Sequence, residues 1–443
     1  MSHIVIIGNG ISGITTARHI RKLSDDQITV ISDETDHFFA RTALMYIYMG
    51  HMKFENTKPY EDWFWDKNKI DLKRAWVNQI DTESKHLILE GGEEFAYDKL
   101  VLALGSKPNK FGWPGQDLLG VSGMYSYQDL ERIEESTKNI QRGVIVGGGL
   151  IGVELAEMLH SRKIEVSFLV RENSFWNAVL PKEESAMINQ EILDHHIDLR
   201  LSTEMKEIVS DENGRVKAVV TGDGETIECQ FVGLTAGVSP NIGLVKESAI
   251  EFNRGILVDE TLKTNIPDVY AVGDCAEFRT AIPGRRTIEQ VWYTGRMQGE
   301  TLARTLTGKK TNYRPGIWFN SAKFFNIEYQ TYGTVLGKLG ENESQLYWEN
   351  ESGKICLKVV FDTNTHEVIG VNNFGIRMRH EVWDRWLNEK KDLRFIMQNL
   401  EEANFDPEFF KQYENDIREI FNQMFPDQKI EPKKKGFLQS IFN

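Results

Sequence analysis

A strand that runs into a glycine turn and then a helix occurs twice in this chain, and the repetition constrains the fold more than any other feature. The first copy is HIVIIGNGISGITTARHIRKLSDDQITVISDE, residues 3–34. It has an apolar run from His3 to Ile7 and a turn punctuated by Gly8, Gly10 and Gly13. Ile14, Ala17, Ile20 and Leu23 follow at near-helical spacing, and a second apolar run spans Ile28 to Ile31. The second copy is GVIVGGGLIGVELAEMLHSRKIEVSFLV, residues 143–170. Here Val144 to Val146 is the strand, Gly147, Gly149 and Gly152 form the turn, Leu155, Met158 and Leu159 ride the helix, and Val166 to Val170 is the next strand. A single G-x-G-x-x-G is a weak signal. Two of them, each between a strand and a helix, are a strong one. The glycines let the backbone approach a pyrophosphate closely, and the free N–H groups and dipole of the helix N-terminus face its negative charge. The expected class is therefore α/β, with two Rossmann-like domains and two dinucleotides.

The rest of the composition narrows the partners. A chain of 443 residues suits two or three domains. The formal charge of −14 argues against nucleic acid as a main partner; it leaves room for a basic partner and also serves solubility. No apolar run reaches the length of about 18 residues that a spanning helix needs. MSHIVIIGNG enters the first strand without a basic region or cleavage site, so no signal peptide is expected there. Cys229, Cys275 and Cys356 are far apart and form no C-x-x-C pair, which disfavours a disulfide framework or a cysteine-rich metal site; no metal is expected. The natural compartment is a reducing cytoplasm. Between Asn320 and Gly375 short strand-like runs such as KICLKVVFD suggest a smaller α+β domain. Beyond His380 the chain reads helical. DPEFFKQYENDIREIFNQMF is expected to start a helix at Asp406 (N-cap) and Pro407, with Phe410, Tyr413, Ile417, Ile420, Phe421 and Met424 on one face. That stripe is expected to meet a second copy or to cover its own subunit. The tail PDQKIEPKKKGFLQSIFN is polar, then basic, then apolar.

Two dinucleotides imply a fixed flavin, FAD, and a diffusible nicotinamide, because hydride passes readily between them. EFAYDKLVLALGSKP and FVGLTAGVSPN resemble the strands that link FAD and NAD(P) domains, and TNIPDVYAVGDCAE, Thr264 to Glu277, resembles the signature whose aspartate, here Asp274, bonds the flavin ribityl chain or pyrophosphate. On these motifs, present in order over residues 1 to about 375, the chain resembles the FAD- and NAD(P)-dependent pyridine nucleotide-disulfide oxidoreductases. The nearest subgroups are the rubredoxin reductases and the flavin domain of nitrite reductase large subunits. The resemblance implies a discontinuous FAD domain at 1–113 and 243–319, an NAD(P) domain at 114–242, and a C-terminal α+β and helical interface domain at 320–443. It also implies an NAD(P)H oxidoreductase that passes electrons to a small redox protein or other acceptor, and a homodimer.

One departure is informative. Disulfide reductases of this family carry C-x-x-x-x-C, and coenzyme A disulfide reductases carry a single cysteine, near the stretch that here reads Phe39-Ala40-Arg41-Thr42-Ala43-Leu44-Met45-Tyr46. Thr42 stands at the cysteine position, and a hydroxyl forms neither a mixed disulfide nor a sulfenic acid. Arg41 matches the Y-x-R pattern of rubredoxin and nitrite reductases. Tyr46 lies about where some relatives keep a lysine near flavin N5, so the lysine–glutamate pair of those relatives is in doubt.

The expected FAD contacts are Gly8, Gly10 and Gly13, Glu34 or Asp33 at the adenosine ribose, Arg41, Thr42, Gly105, Gly237, Gly273 and Asp274. In TIEQVWYTGRMQGETLARTL, Glu289, Gln290, Val291 and Trp292 stand at a helix start expected to face the flavin pyrimidine; Trp292 reads equally well as a core residue. Gly147, Gly149 and Gly152 are expected at the nicotinamide dinucleotide, with Glu154 beside its carboxamide or, alternatively, as an ordinary first-turn acid. The strand end FLVREN carries Val170 where NAD-specific relatives have an acid, followed by Arg171, which suits the 2′-phosphate of NADPH. Glu172 beside it opposes that phosphate, and a second arginine is missing around Asn177, so NADPH is favoured over NADH without excluding it. Two rival readings remain. The tail KKKGFLQSIF suits a type II NADH dehydrogenase-like quinone reductase at a membrane surface, and the C-terminal helices suit a non-catalytic flavin redox sensor.

Overall fold

Each glycine turn sits between a parallel strand and the helix that covers it. The computed structural model describes residues 1–406 and 408–431; the tail from Pro432, with its basic and apolar stretch, and the N1 position of Pro407 lie outside these. The described chain forms two units, residues 1–171 with 202–315, and residues 172–201 with 316 onward.

In the first unit, strands Val269–Ala271, Lys99–Leu102, His3–Ile7, Gln27–Ser32 and Ile70–Arg74 bond in that order, all parallel. A parallel sheet covered on both faces needs continuously apolar strands, and Ile4, Val5 and Ile6 are fully buried. Helix Ile11–Leu23 buries Ile14, Ala17 and Ile20 of the four residues its periodicity marks; Leu23, at its last position, is exposed. A second parallel set, Glu165–Leu169, Arg142–Val146, Phe231–Leu234 and Val121–Ser122, carries the other turn. Helix Leu150–Ser161 starts directly after Gly149.

A third helix, Trp292–Leu306, packs tightly on Ile11–Leu23. A Cβ at Gly299 would lie 2.7 Å from the Ser12 carbonyl oxygen, and one at Gly295 only 2.5 Å from the Ser12 hydroxyl. The contact therefore requires glycine at both positions. It brings the start of this helix, at Val291 and Trp292, close to the Gly8–Gly13 turn.

The second unit is built on an antiparallel sheet in the order Phe319–Phe324, Ile327–Gly333, Val368–Phe374, Cys356–Asp362, Glu343–Glu349. Leu357, Val359 and Phe361 face a core shared with helices His380–Asn388, Leu393–Asn399 and Glu414–Met424. The opposite face, with Lys358 and Asn372, meets helix Lys182–Asp194.

The last helix begins at Glu414, not at Asp406. Asp406 takes a left-handed φ of 47°, so it caps no helix. The cause is tertiary. Arg379 N–H bonds the Ala403 carbonyl, Phe405 N–H bonds the Arg377 carbonyl, and the Asn404 amide donates to Glu414. These bonds hold the chain along the preceding segment until Glu414. The apolar stripe divides accordingly. Ile417 and Phe421 are buried, Tyr413 and Ile420 pack against the same core, and Phe410 and Met424 are exposed. Most of the stripe thus covers its own unit.

Candidate functional site

The glycines of each turn divide the same three tasks between them. Gly8 (φ +111°) takes a conformation that L side chains rarely adopt, and a Cβ there would lie 2.2 Å from the Ala103 carbonyl oxygen. Gly13 lets helix Ile11–Leu23 close on the strand, since its Cβ would lie 2.1 Å from the Gly8 carbonyl oxygen. Gly10 faces open space, with nothing within 4 Å of its would-be Cβ. Gly147, Gly152 and Gly149 repeat these roles in turn: φ +121°, a clash at 2.3 Å with the Gly147 carbonyl oxygen, and open space. A turn that served packing alone would not need glycine at the open position. An open glycine at a helix N-terminus fits a pyrophosphate in both places.

Around the first turn the structure gathers residues far apart in sequence. Arg41 donates from both terminal nitrogens to the Glu34 carboxylate, at 2.7 and 2.6 Å, and also to the Tyr125 carbonyl. Its guanidinium lies 4.5 Å from the Tyr125 ring centre. The Tyr125 hydroxyl donates to Asp274 Oδ2 at 3.1 Å and accepts from Ser106 N–H at 2.8 Å. Gln290 Nε2 donates to Ser106 Oγ at 2.6 Å, and the Gln298 side chain accepts from Gly273 N–H at 2.7 Å. Glu34, Arg41, Asp274 and Gln290 thus belong to one hydrogen-bonded network through Tyr125 and Ser106, while Gly273, tied to Gln298, precedes Asp274. Gly105 (φ +67°) leaves room for the Tyr125 hydroxyl, which a Cβ would approach to 2.7 Å. Desolvation raises the Asp274 carboxyl above its ordinary range, opposed by the Tyr125 and Ser106 hydrogen bonds and by Arg41. Val291 is the N-cap of helix Trp292–Leu306, and Trp292 is partly exposed with its ring edge-on to Tyr293, so it is not a core residue. Glu289 is held by Arg285 and Thr294. Asp33 and Thr42 are exposed and enter no part of this network; Gly237 (φ +81°) lies beside Asn109. Tyr125, Ser106, Gln298 and Asn9, whose amide ties the turn to Thr35, escape a reading of sequence alone. No motif marks them, because their partners are distant along the chain.

At the second turn, Val170 is fully buried, and a Cβ at Gly148 would lie 2.6 Å from it. This position therefore closes the turn and leaves Arg171 as the first exposed residue after the strand. Glu154 sits partly buried in helix Leu150–Ser161, just past a first turn that holds no acid, so it is not an ordinary first-turn acid. Burial, with Glu157 nearby, pushes its carboxyl up to about 7. Tyr46, on helix Leu44–Tyr48, stacks on His51. That short helix is clamped to the end of the Glu154 helix by Arg162, which donates to the Tyr48 carbonyl and to Glu134.

The family model described as "Pyridine nucleotide-disulphide oxidoreductase" matches residues 2–299. The chain belongs to this family. The family is named for oxidoreductases that use a pyridine nucleotide. The chain is 31% identical over 326 residues to rubredoxin-NAD(+) reductase of Acinetobacter baylyi, covering 70% of this chain and 80% of that protein. It is 29% identical over 377 residues to nitrite reductase [NAD(P)H] of Bacillus subtilis, covering 84% of this chain but only 45% of that protein. The chain thus spans less than half of some of the curated relatives it matches. Among solved structures, the NAD-dependent persulfide reductase from A. fulgidus shares the fold at a TM-score of 0.83 and 23% identity, over 96% of this chain and 83% of that one.

Within this disulphide oxidoreductase family, the thiol question has a structural answer. Cys229, Cys275 and Cys356 are buried and unpaired. Burial pushes the Cys229 and Cys275 thiols up to about 12 and raises Cys356 as well. A thiol held protonated away from solvent is a poor nucleophile. Cys275, next to Asp274, is bound to the Leu102 and Val272 carbonyls as a core residue. Among the described residues no cluster suited to a metal occurs and no helix is long and apolar enough to cross a membrane.

Proposed function

We propose that this protein takes electrons from NAD(P)H through FAD and hands them to a separate acceptor, a small redox protein. The carrying observation is the pairing of two open glycine cradles with three buried cysteines, which supplies two dinucleotide sites and no exposed thiol. FAD held in the first cradle would supply the redox chemistry between a two-electron nicotinamide donor and a one-electron acceptor.

The residues of this chain bind and orient. Gly8, Gly10 and Gly13 present N–H groups to the FAD pyrophosphate. Asp274 accepts from the ribityl hydroxyls, steadied by Tyr125. Glu34 is the ribose acceptor in preference to exposed Asp33, and Arg41 holds it in place while lending positive charge to the phosphate side. Gln290 and the N-cap Val291 lead into the helix that Trp292 opens, whose dipole would stabilise negative charge on the flavin pyrimidine. Gly147, Gly149 and Gly152 hold the nicotinamide dinucleotide, Glu154 accepts from the carboxamide, and Arg171 pairs with a 2′-phosphate, favouring NADPH. Tyr46 stands on the opposite helix in the lysine's place. The unpaired cysteines support a cytoplasmic setting.

With NADPH as donor, the protein is expected to reduce rubredoxin or a plant-type ferredoxin under anaerobic conditions. Turnover with quinone-containing vesicles but with neither protein would favour the membrane-surface reading instead.

A homodimer is part of the same reading. The surface it would use carries Phe405, Phe409 and Phe410, exposed by 44%, 82% and 45% and too apolar together for water. Replacing Phe409 and Phe410 by Ser is expected to halve the mass seen by light scattering with FAD still bound. An unchanged mass rejects this surface.

A further inference from the structure

Helix Lys182–Asp194 meets the C-terminal sheet through charged groups where an apolar contact would be expected. Lys358, in the middle of strand Cys356–Asp362, is fully buried. Its ammonium donates to Glu183 Oε2 at 2.7 Å and lies 5.0 Å from the Tyr347 ring centre. The next residue on the helix, Glu184, is also fully buried. Its Oε2 accepts from the Asn372 amide at 2.8 Å, and its Oε1 has no hydrogen-bond partner.

The charge count is uneven. One ammonium faces two carboxyl groups. It bonds Glu183, whose side chain is 41% exposed and shares its charge with water. The other groups near Glu184 are Asn372, Tyr329 and Cys356, with Tyr347 and Glu349 beside Cys356; none brings a second cation. A buried carboxylate without a counter-charge is costly, and the usual remedy is protonation. Protonation removes the charge from this buried carboxyl, whose Oε1 has no N–H or O–H donor to stabilise it as an anion.

We propose that Glu184 carries a proton when this helix is docked, which makes the helix a pH-responsive clasp on the C-terminal sheet. Burial pushes the Glu184 carboxyl up to about 7, with Lys358 and Asn372 pulling the other way. The sign follows. A carboxyl raised in the docked state stabilises docking fully below its free value, near 4.5. That stabilisation is lost as pH rises to about 7, and little changes above it. The clasp lies between Arg171 and Ser202, so the chain enters it directly from the residue assigned to the coenzyme phosphate and leaves it toward the first unit.

Hydrogen exchange of the full-length protein tests this. Protection of the amides of residues 182–194, corrected for intrinsic rate, is expected to fall about tenfold or more between about pH 5 and pH 7. In Glu184→Gln it should stay level over that range. Infrared spectra of the wild type provide a test that needs no variant: the carbonyl stretch of a buried protonated carboxyl should be present at about pH 6 and diminished at about pH 8. A level wild-type profile, a Glu184→Gln profile parallel to wild type, or no such band at the lower pH overturns the clasp.

Discussion

Asp274→Ala is expected to weaken FAD binding by roughly tenfold to a hundredfold, the equivalent of the ~1.5–3 kcal/mol that a hydrogen bond to a charged group contributes. The same change should leave the apoprotein at least as stable. Asp274 is raised by desolvation, so the fold holds its carboxylate at a cost, and its ionised form is stabilised only by Tyr125, Ser106 and Arg41. Alanine removes that cost together with the ligand contact. Flavin fluorescence titration and the apoprotein melting temperature separate the two effects. Reduced affinity with an unchanged or raised melting temperature is the expected pair. Full retention of FAD in the variant rejects Asp274 as a ribityl ligand.

Reversal of coenzyme preference is expected from Arg171→Glu. In the wild type NADPH should reduce the flavin faster than NADH at equal concentration. A charge-assisted pair with phosphate contributes about 1.5–3 kcal/mol, and an exposed position weakens it by screening. Glutamate replaces attraction by repulsion of the 2′-phosphate and offers an acceptor to the ribose hydroxyls. Val170, the residue that could otherwise play the acidic part, is fully buried under Gly148 and cannot. Stopped-flow reduction with each coenzyme measures the outcome. A tenfold preference of the wild type for NADH, ~1.4 kcal/mol in the wrong direction, contradicts the assignment.

How much was legible depended on the range of the interactions involved. Both glycine turns, their strands and their helices are local patterns, and helices Ile11–Leu23 and Leu150–Ser161 start one residue after Gly10 and Gly149. The family followed from the same local motifs. The last helix starts later than its sequence suggests, because Asp406-Pro407 has the composition of a helix start while bonds from Arg377, Arg379 and Asn404 carry the chain on to Glu414. Glu34 and Arg41 were recognised singly, but not that each is the other's partner. Tyr125 was invisible: it joins Arg41, Ser106 and Asp274 across as many as 149 residues, and no spacing rule reaches that far. Nor does periodicity reveal that helix Lys182–Asp194 groups with the C-terminal sheet, since two of its contacts are a buried lysine on a strand and an asparagine.

The central claim is that electrons leave NAD(P)H through the flavin without a thiol. Anaerobic stopped-flow reduction of a variant with Cys229, Cys275 and Cys356 all replaced by Ser or Ala tests it most directly. A folded, FAD-loaded variant should lose its flavin colour on mixing with NAD(P)H at a rate close to wild type, because all three thiols are buried, with pKa values raised by burial. A variant that binds FAD and NAD(P)H yet stays yellow contradicts the account.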